Sequence, residues 1–67
     1  MARKSDRLFR IVTMLQGRRT ALTAARIAKQ LEVSTRTVYR DIQDLMLSGV
    51  PITGEAGTGY MLDRRYH

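Results

Sequence analysis

The tightest constraint on this chain is a gap of two residues. Two stretches carry apolar side chains at helical spacing: Ala24, Ile27, Ala28 and Leu31 in one, and Val38, Ile42 and Leu45, with Met46 beside them, in the other. Only Glu32 and Val33, plus a capping residue at Ser34, stand between them. Thr23 and Ser34 each precede an apolar stripe and can accept a hydrogen bond from the free N–H groups of a helix start. So short a connection forces a sharp angle between the two helix axes. The alanines of the first helix permit close approach, and Val33 is placed to plug the turn.

A third helix precedes these two. Leu8, Ile11, Val12 and Leu15 fall at i, i+3, i+4 and i+7, with Phe9 on the flank. Ser5 or Asp6 is the expected cap, residues 1–4 read as a loose arm, and the helix runs to about Gln16, where Gly17 ends it. Arg7, Arg10 and Thr13 point away from the stripe. A basic amphipathic segment lying on a membrane or in an RNA groove shares this pattern, but two further helices need an apolar partner, which favours a core helix. Residues 17–20 form a loop, and Ala21-Leu22-Thr23 is either extended or a cap.

After the last helix, Ser48-Gly49 is a stop signal and Pro51 prevents continuation. Ile52-Thr53 and Tyr60-Met61-Leu62 lean towards β structure and are joined by Gly54-Glu55-Ala56-Gly57-Thr58-Gly59, which reads as a hairpin. Alternation buries Ile52, Tyr60 and Leu62 while Thr53 and Met61 face out. The glycine spacing resembles a phosphate-binding loop, but such a loop needs a helix after it, and a β-type run follows here. The expected fold class is therefore mainly α (α+β): three helices forming a helix-turn-helix, with a C-terminal two-stranded β-hairpin as a wing.

Sixty-seven residues make one domain with a small core, stable by roughly 3–5 kcal/mol in typical cases. There is no cysteine, so neither a disulfide nor a thiolate metal site staples it. No apolar run approaches the roughly 18 residues of a membrane span, and no signal-peptide pattern opens the chain, so a cytoplasmic, nucleoid-associated protein is expected. Net charge is +6, and ten of the 12 basic residues precede Asp41, against only Asp6 and Glu32. A basic field of this density attracts polyanions, nucleic acid foremost. The sequence has no internal histidine and no nucleophile–base spacing, so no enzyme, cofactor or metal is expected; Asp41 and Asp44 alone are too few ligands.

Residues 22–45 (LTAARIAKQLEVSTRTVYRDIQDL) resemble the helix-turn-helix of bacterial regulators of the deoxyribose-operon-repressor (DeoR) type, above all those that carry a downstream WYL effector domain. The likeness rests on Ile27-Ala28, Leu31, Val33-Ser34, Arg36-Thr37-Val38, Arg40-Asp41-Ile42 and Leu45, then Gly49-Val50-Pro51-Ile52 and Gly59-Tyr60, and spans roughly residues 5–62. Glu32 departs from it, since many helix-turn-helix proteins place glycine there to take a left-handed backbone. The resemblance implies a winged helix-turn-helix DNA-binding domain over residues 1–62, with the motif at about 22–42 and the wing at about 50–62. Residues 63–67 would be a tail or a linker to an effector domain outside this sequence, which binds the effector ligand. A homodimer on two operator half-sites is implied for the full regulator.

Outward positions of the helix at 34–47 are rich in donors, as an acceptor-lined duplex major groove requires. Arg36 and Arg40 are the leading candidates for base or phosphate contact, with the alternative that they pair with Asp41 or Asp44 on their own helix. Thr35 and Thr37 suit base edges or phosphates, and Gln43 completes the outward face. Ser34 caps first and contacts phosphate second. Tyr39 reaches a phosphate or packs on a neighbouring helix. Arg18 and Arg19 in the loop, and Thr58 in the wing, are further phosphate contacts. Asp41, beside the apolar stripe, is expected to pair with an arginine of the first or second helix, and Leu47 has no assigned role. RNA binding and protein–protein interaction are the alternative uses of such a domain.

Overall fold

The computed structural model describes residues 3–66 and contains three helices followed by a hairpin: α1 (Lys4–Leu15), α2 (Ala24–Leu31), α3 (Thr35–Leu47), β1 (Ile52–Glu55) and β2 (Gly59–Leu62). Met1, Ala2 and His67, at the two ends assigned to an arm and a tail, lie outside the described residues.

The core is built from the three predicted stripes. Ile11 and Leu15 of α1, all four stripe residues of α2, and Val38, Ile42 and Leu45 of α3 are buried, while Leu8 and Val12 are only partly covered. The hairpin closes one side with Ile52, Tyr60 and Leu62, and Thr53 is exposed, as the alternation requires. Phe9 and Leu47 remain outside, 72% and 79% exposed.

Local chemistry fixes each boundary. Thr23 accepts a hydrogen bond from the Arg26 N–H and so starts α2. Ser34 does the same for the Thr37 N–H at 3.1 Å and starts α3. Between them Glu32 takes the left-handed conformation, φ 57°, ψ 43°, which lets α2 stop and the chain turn within two residues. A side chain with a Cβ holds that conformation at a cost of about 1–2 kcal/mol.

The start of α1 differs from expectation. Neither Ser5 nor Asp6 caps it; the helix begins at Lys4, with Arg3 at the N-cap and no side-chain cap bond. Two ion pairs to α3 bind this first turn and the next: Lys4 with Asp44, and Arg7 with Asp41. Lys4 is thus part of the folded unit rather than of a loose arm, and Arg7 turns towards α3 rather than away from the stripe.

The hairpin pairs Ile52 with Leu62, Thr53 with Met61, Gly54 with Tyr60 and Glu55 with Gly59, so only residues 56–58 form its loop. An isolated antiparallel bridge joins Leu22 to Tyr60, with N–H···O distances of 3.0 and 2.8 Å. Leu22 is therefore extended and Thr23 is a cap, so both readings of that segment hold in succession. Gly59 sits where this bridge passes: at φ 102°, a Cβ there would lie 2.8 Å from the Ala21 Cβ and 3.1 Å from backbone carbon of Leu22. Two of the glycines that resemble a phosphate loop, Gly54 and Gly59, here serve close backbone packing. Among the described residues no helix is long and apolar enough to cross a membrane.

Candidate nucleic-acid interface

Once Val38, Asp41, Ile42 and Leu45 of α3 face inward, Arg36, Tyr39, Arg40, Gln43 and Leu47 must face outward, and all five are exposed. Arg36 and Arg40 lie one turn apart on this face. Both carboxylates of α3 that might have claimed them are engaged by α1 instead. Asp44 holds Lys4, and Asp41, only 1% exposed, accepts from Arg7 Nε at 2.7 Å and Nη2 at 3.2 Å. That hydrogen bond is the main reason the Arg7 guanidinium is held still more firmly protonated than usual. Among the described residues, Arg36 and Arg40 make no ion pair.

The start of α3 is self-contained. Ser34 Oγ accepts from the Thr37 N–H and donates to Thr37 Oγ1 at 3.1 Å, so both hydroxyls are oriented by one another. Thr35, beside them, is exposed. Arg40 and Thr37 border a cleft of about 220 Å³ whose other walls are Lys4, Arg7 and Asp41. The basic margin of α3 thus includes residues of α1 that helical-wheel reasoning assigned to solvent or to an arm. The expected partner of Asp41, an arginine of the first or second helix, is Arg7 of α1: a carboxylate inside an apolar stripe calls for a cation from a neighbouring element.

Tyr39 is 42% exposed. It stands near enough to the hairpin to add, with Glu55, to a rise in the Tyr60 hydroxyl pKa that is caused chiefly by burial. Thr58 is exposed in the hairpin loop.

Arg18 and Arg19 stand apart from this group. They line a separate cleft of about 250 Å³ with Gly17, Leu62 and Arg64, past the C-terminal end of α1. The structure therefore brings Ser34, Thr35, Arg36, Thr37, Tyr39, Arg40 and Gln43 together on one helix, and places the two loop arginines in another basic region.

A family model described as HTH domain matches residues 7–61. A Bacillus subtilis (strain 168) protein named "Uncharacterized HTH-type transcriptional regulator YobV" is 39% identical over 56 residues, which is 84% of this chain. The match covers 18% of that relative's length. No solved structure matches the chain.

Proposed function

The chain belongs to the HTH domain family, and from that premise we propose that it binds double-stranded DNA sequence-specifically, as the DNA-binding domain of a bacterial transcriptional regulator. In this reading α3 enters the major groove. The observation that carries it is the pair Arg36 and Arg40, exposed one turn apart while the carboxylates of their own helix are neutralised by α1. A guanidinium free of intramolecular partners can form two hydrogen bonds to the O6 and N7 edge of guanine, worth about 1–3 kcal/mol against a wrong base. Gln43 offers the same kind of paired contact to adenine. Ser34, Thr35, Thr37 and Tyr39 suit phosphates around the helix start, and Arg18, Arg19 and Thr58 extend the phosphate contacts beyond it. Residues 1–62 form the binding unit, and 63–67 are a tail or linker whose Tyr66 packs back against the core.

The finer assignment is to the DeoR type with a WYL effector domain. It is supported by the ordered set of residues from Ile27 to Tyr60. The whole regulator then acts in the cytoplasm as a homodimer on two half-sites, with its effector ligand bound outside this domain and no catalysis of its own.

Selection of preferred sequences from a random duplex library by this chain tests the proposal. Arg36→Ala and Arg40→Ala should each relax preference at one base pair, by about 1–3 kcal/mol. Loss that is uniform across sequences would restrict that arginine to a phosphate. Tighter binding to structured RNA than to any selected duplex would overturn the reading.

A further inference from the structure

The cleft of Gly17, Arg18, Arg19, Leu62 and Arg64 has no place on the outward face of α3. The Leu22–Tyr60 bridge is antiparallel, so the chain before Leu22 runs beside β2 towards Leu62, the open end of the hairpin, and away from the loop at 56–58. Measured along α1, the two basic clefts also lie at opposite ends. Arg7 borders the first, and Leu15, about 12 Å further along the helix axis at 1.5 Å per residue, precedes the second.

Three arginines line this cleft and no carboxylate does. The nearest acid in sequence, Asp63, is committed elsewhere: its Oδ1 accepts from the Arg65 N–H at 2.8 Å, and both oxygens take longer bonds from the Arg65 side chain. These bonds hold the Asp63 carboxyl below its usual range, the backbone N–H contributing most. Arg18 is steered by Thr20, whose carbonyl and hydroxyl oxygens each accept from it at 3.4 Å. Arg19 and Arg64 make no ion pair among the described residues. Like charges gathered on one rim repel, and the arrangement is relieved by a compact polyvalent anion; a forked guanidinium matches phosphate oxygens two at a time. A volume of about 250 Å³, floored by the buried Leu62, admits such a group with its water.

We propose that this cleft is an oxyanion site for a phosphate group, held by Arg18, Arg19 and Arg64. Two sources supply that chemistry: a phosphodiester of the DNA that α3 reads, or a free phosphate compound. The first source rests on the DNA-binding reading above; the site itself does not.

Backbone amide NMR of the 67-residue chain, titrated with inorganic pyrophosphate at constant ionic strength, tests the site. Saturable shifts are expected at residues 17–20 and 62–65, with at least tenfold weaker binding in the Arg19→Gln/Arg64→Gln variant and no change in Arg10→Gln, a control that removes one positive charge from α1. Shifts that do not saturate, or that respond equally to both variants, would overturn it as general attraction of a basic surface. A second arm measures duplex affinity against salt. If the phosphate belongs to DNA, the double variant weakens binding evenly across sequences and flattens the log–log slope by about one to two units, whereas Arg10→Gln does not. An unchanged slope, with pyrophosphate binding retained by the parent chain, assigns the site to a free phosphate compound.

Discussion

Asp41 is almost wholly removed from water, yet it lies on a helix whose opposite face is charged and exposed. Its burial is tolerable because Arg7 supplies two hydrogen bonds and a countercharge from α1. Arg7→Met keeps the volume and removes the charge, leaving a buried carboxylate alone. Loss of one partner in such a pair costs about 3–5 kcal/mol, comparable with all the stability a domain this small has. Urea unfolding should therefore find the single variant largely unfolded without denaturant. A second substitution, Asp41→Leu, should restore a cooperative transition in that background. A single variant melting within about 1 kcal/mol of the parent would show that the pair is dispensable. Glu32 poses the opposite case, since its strain arises from its own Cβ at positive φ. Glu32→Gly relieves about 1–2 kcal/mol and returns part of that as added freedom of the unfolded chain, for a net gain of about 0.5–1 kcal/mol in the same measurement.

At the scale of elements, the hairpin depends on contact between backbones. Gly59→Ala would drive a methyl group into Ala21 and Leu22, and it would also strain a φ of 102°. The bridge between Leu22 and Tyr60 should open, with faster amide exchange at those two residues and a loss of about 2 kcal/mol or more in unfolding free energy. Unchanged exchange at Leu22 would show that the bridge does not hold the hairpin. The helices and the hairpin were legible from sequence because each carries its own signal: a 3.6-residue stripe, a capping threonine or serine, an alternating run between glycines. What was not legible arises only when elements meet. The extension of Leu22 is a single residue without periodicity, and α1 begins at Lys4 because α3 offers Asp44 and Asp41 across the crossing. The same division runs through the candidate site. Its centre, the outward face of α3, follows from one helical wheel. That Asp41 would take an arginine of the first or second helix was also legible; which arginine it is, Arg7, and the presence of Lys4 beside it follow from how α1 crosses α3, and the grouping of Arg64 with Arg18 and Arg19 follows from the antiparallel bridge.

The molecule as a whole spreads its positive charge over a body of 30 × 23 × 18 Å. Such a body is about as wide as one duplex, so in the proposed DNA-binding reading a single copy meets only a few base pairs, and base contacts from one helix supply limited free energy. Most of the affinity must then come from phosphates neutralised by arginine and lysine, with the hydroxyls around α3 adding hydrogen bonds. Each neutralised phosphate releases condensed counterion, which makes the number of contacts measurable without a structure of the complex. With six or so phosphates engaged, log affinity for duplex DNA should fall against log salt with a slope of about −4 to −6. Fluorescence anisotropy with a labelled duplex, between low and physiological salt, reads this directly. A slope near zero would overturn duplex binding however well the family match fits. An intermediate slope near −2 would confine the contact to the start of α3 and leave the other basic residues in solvent.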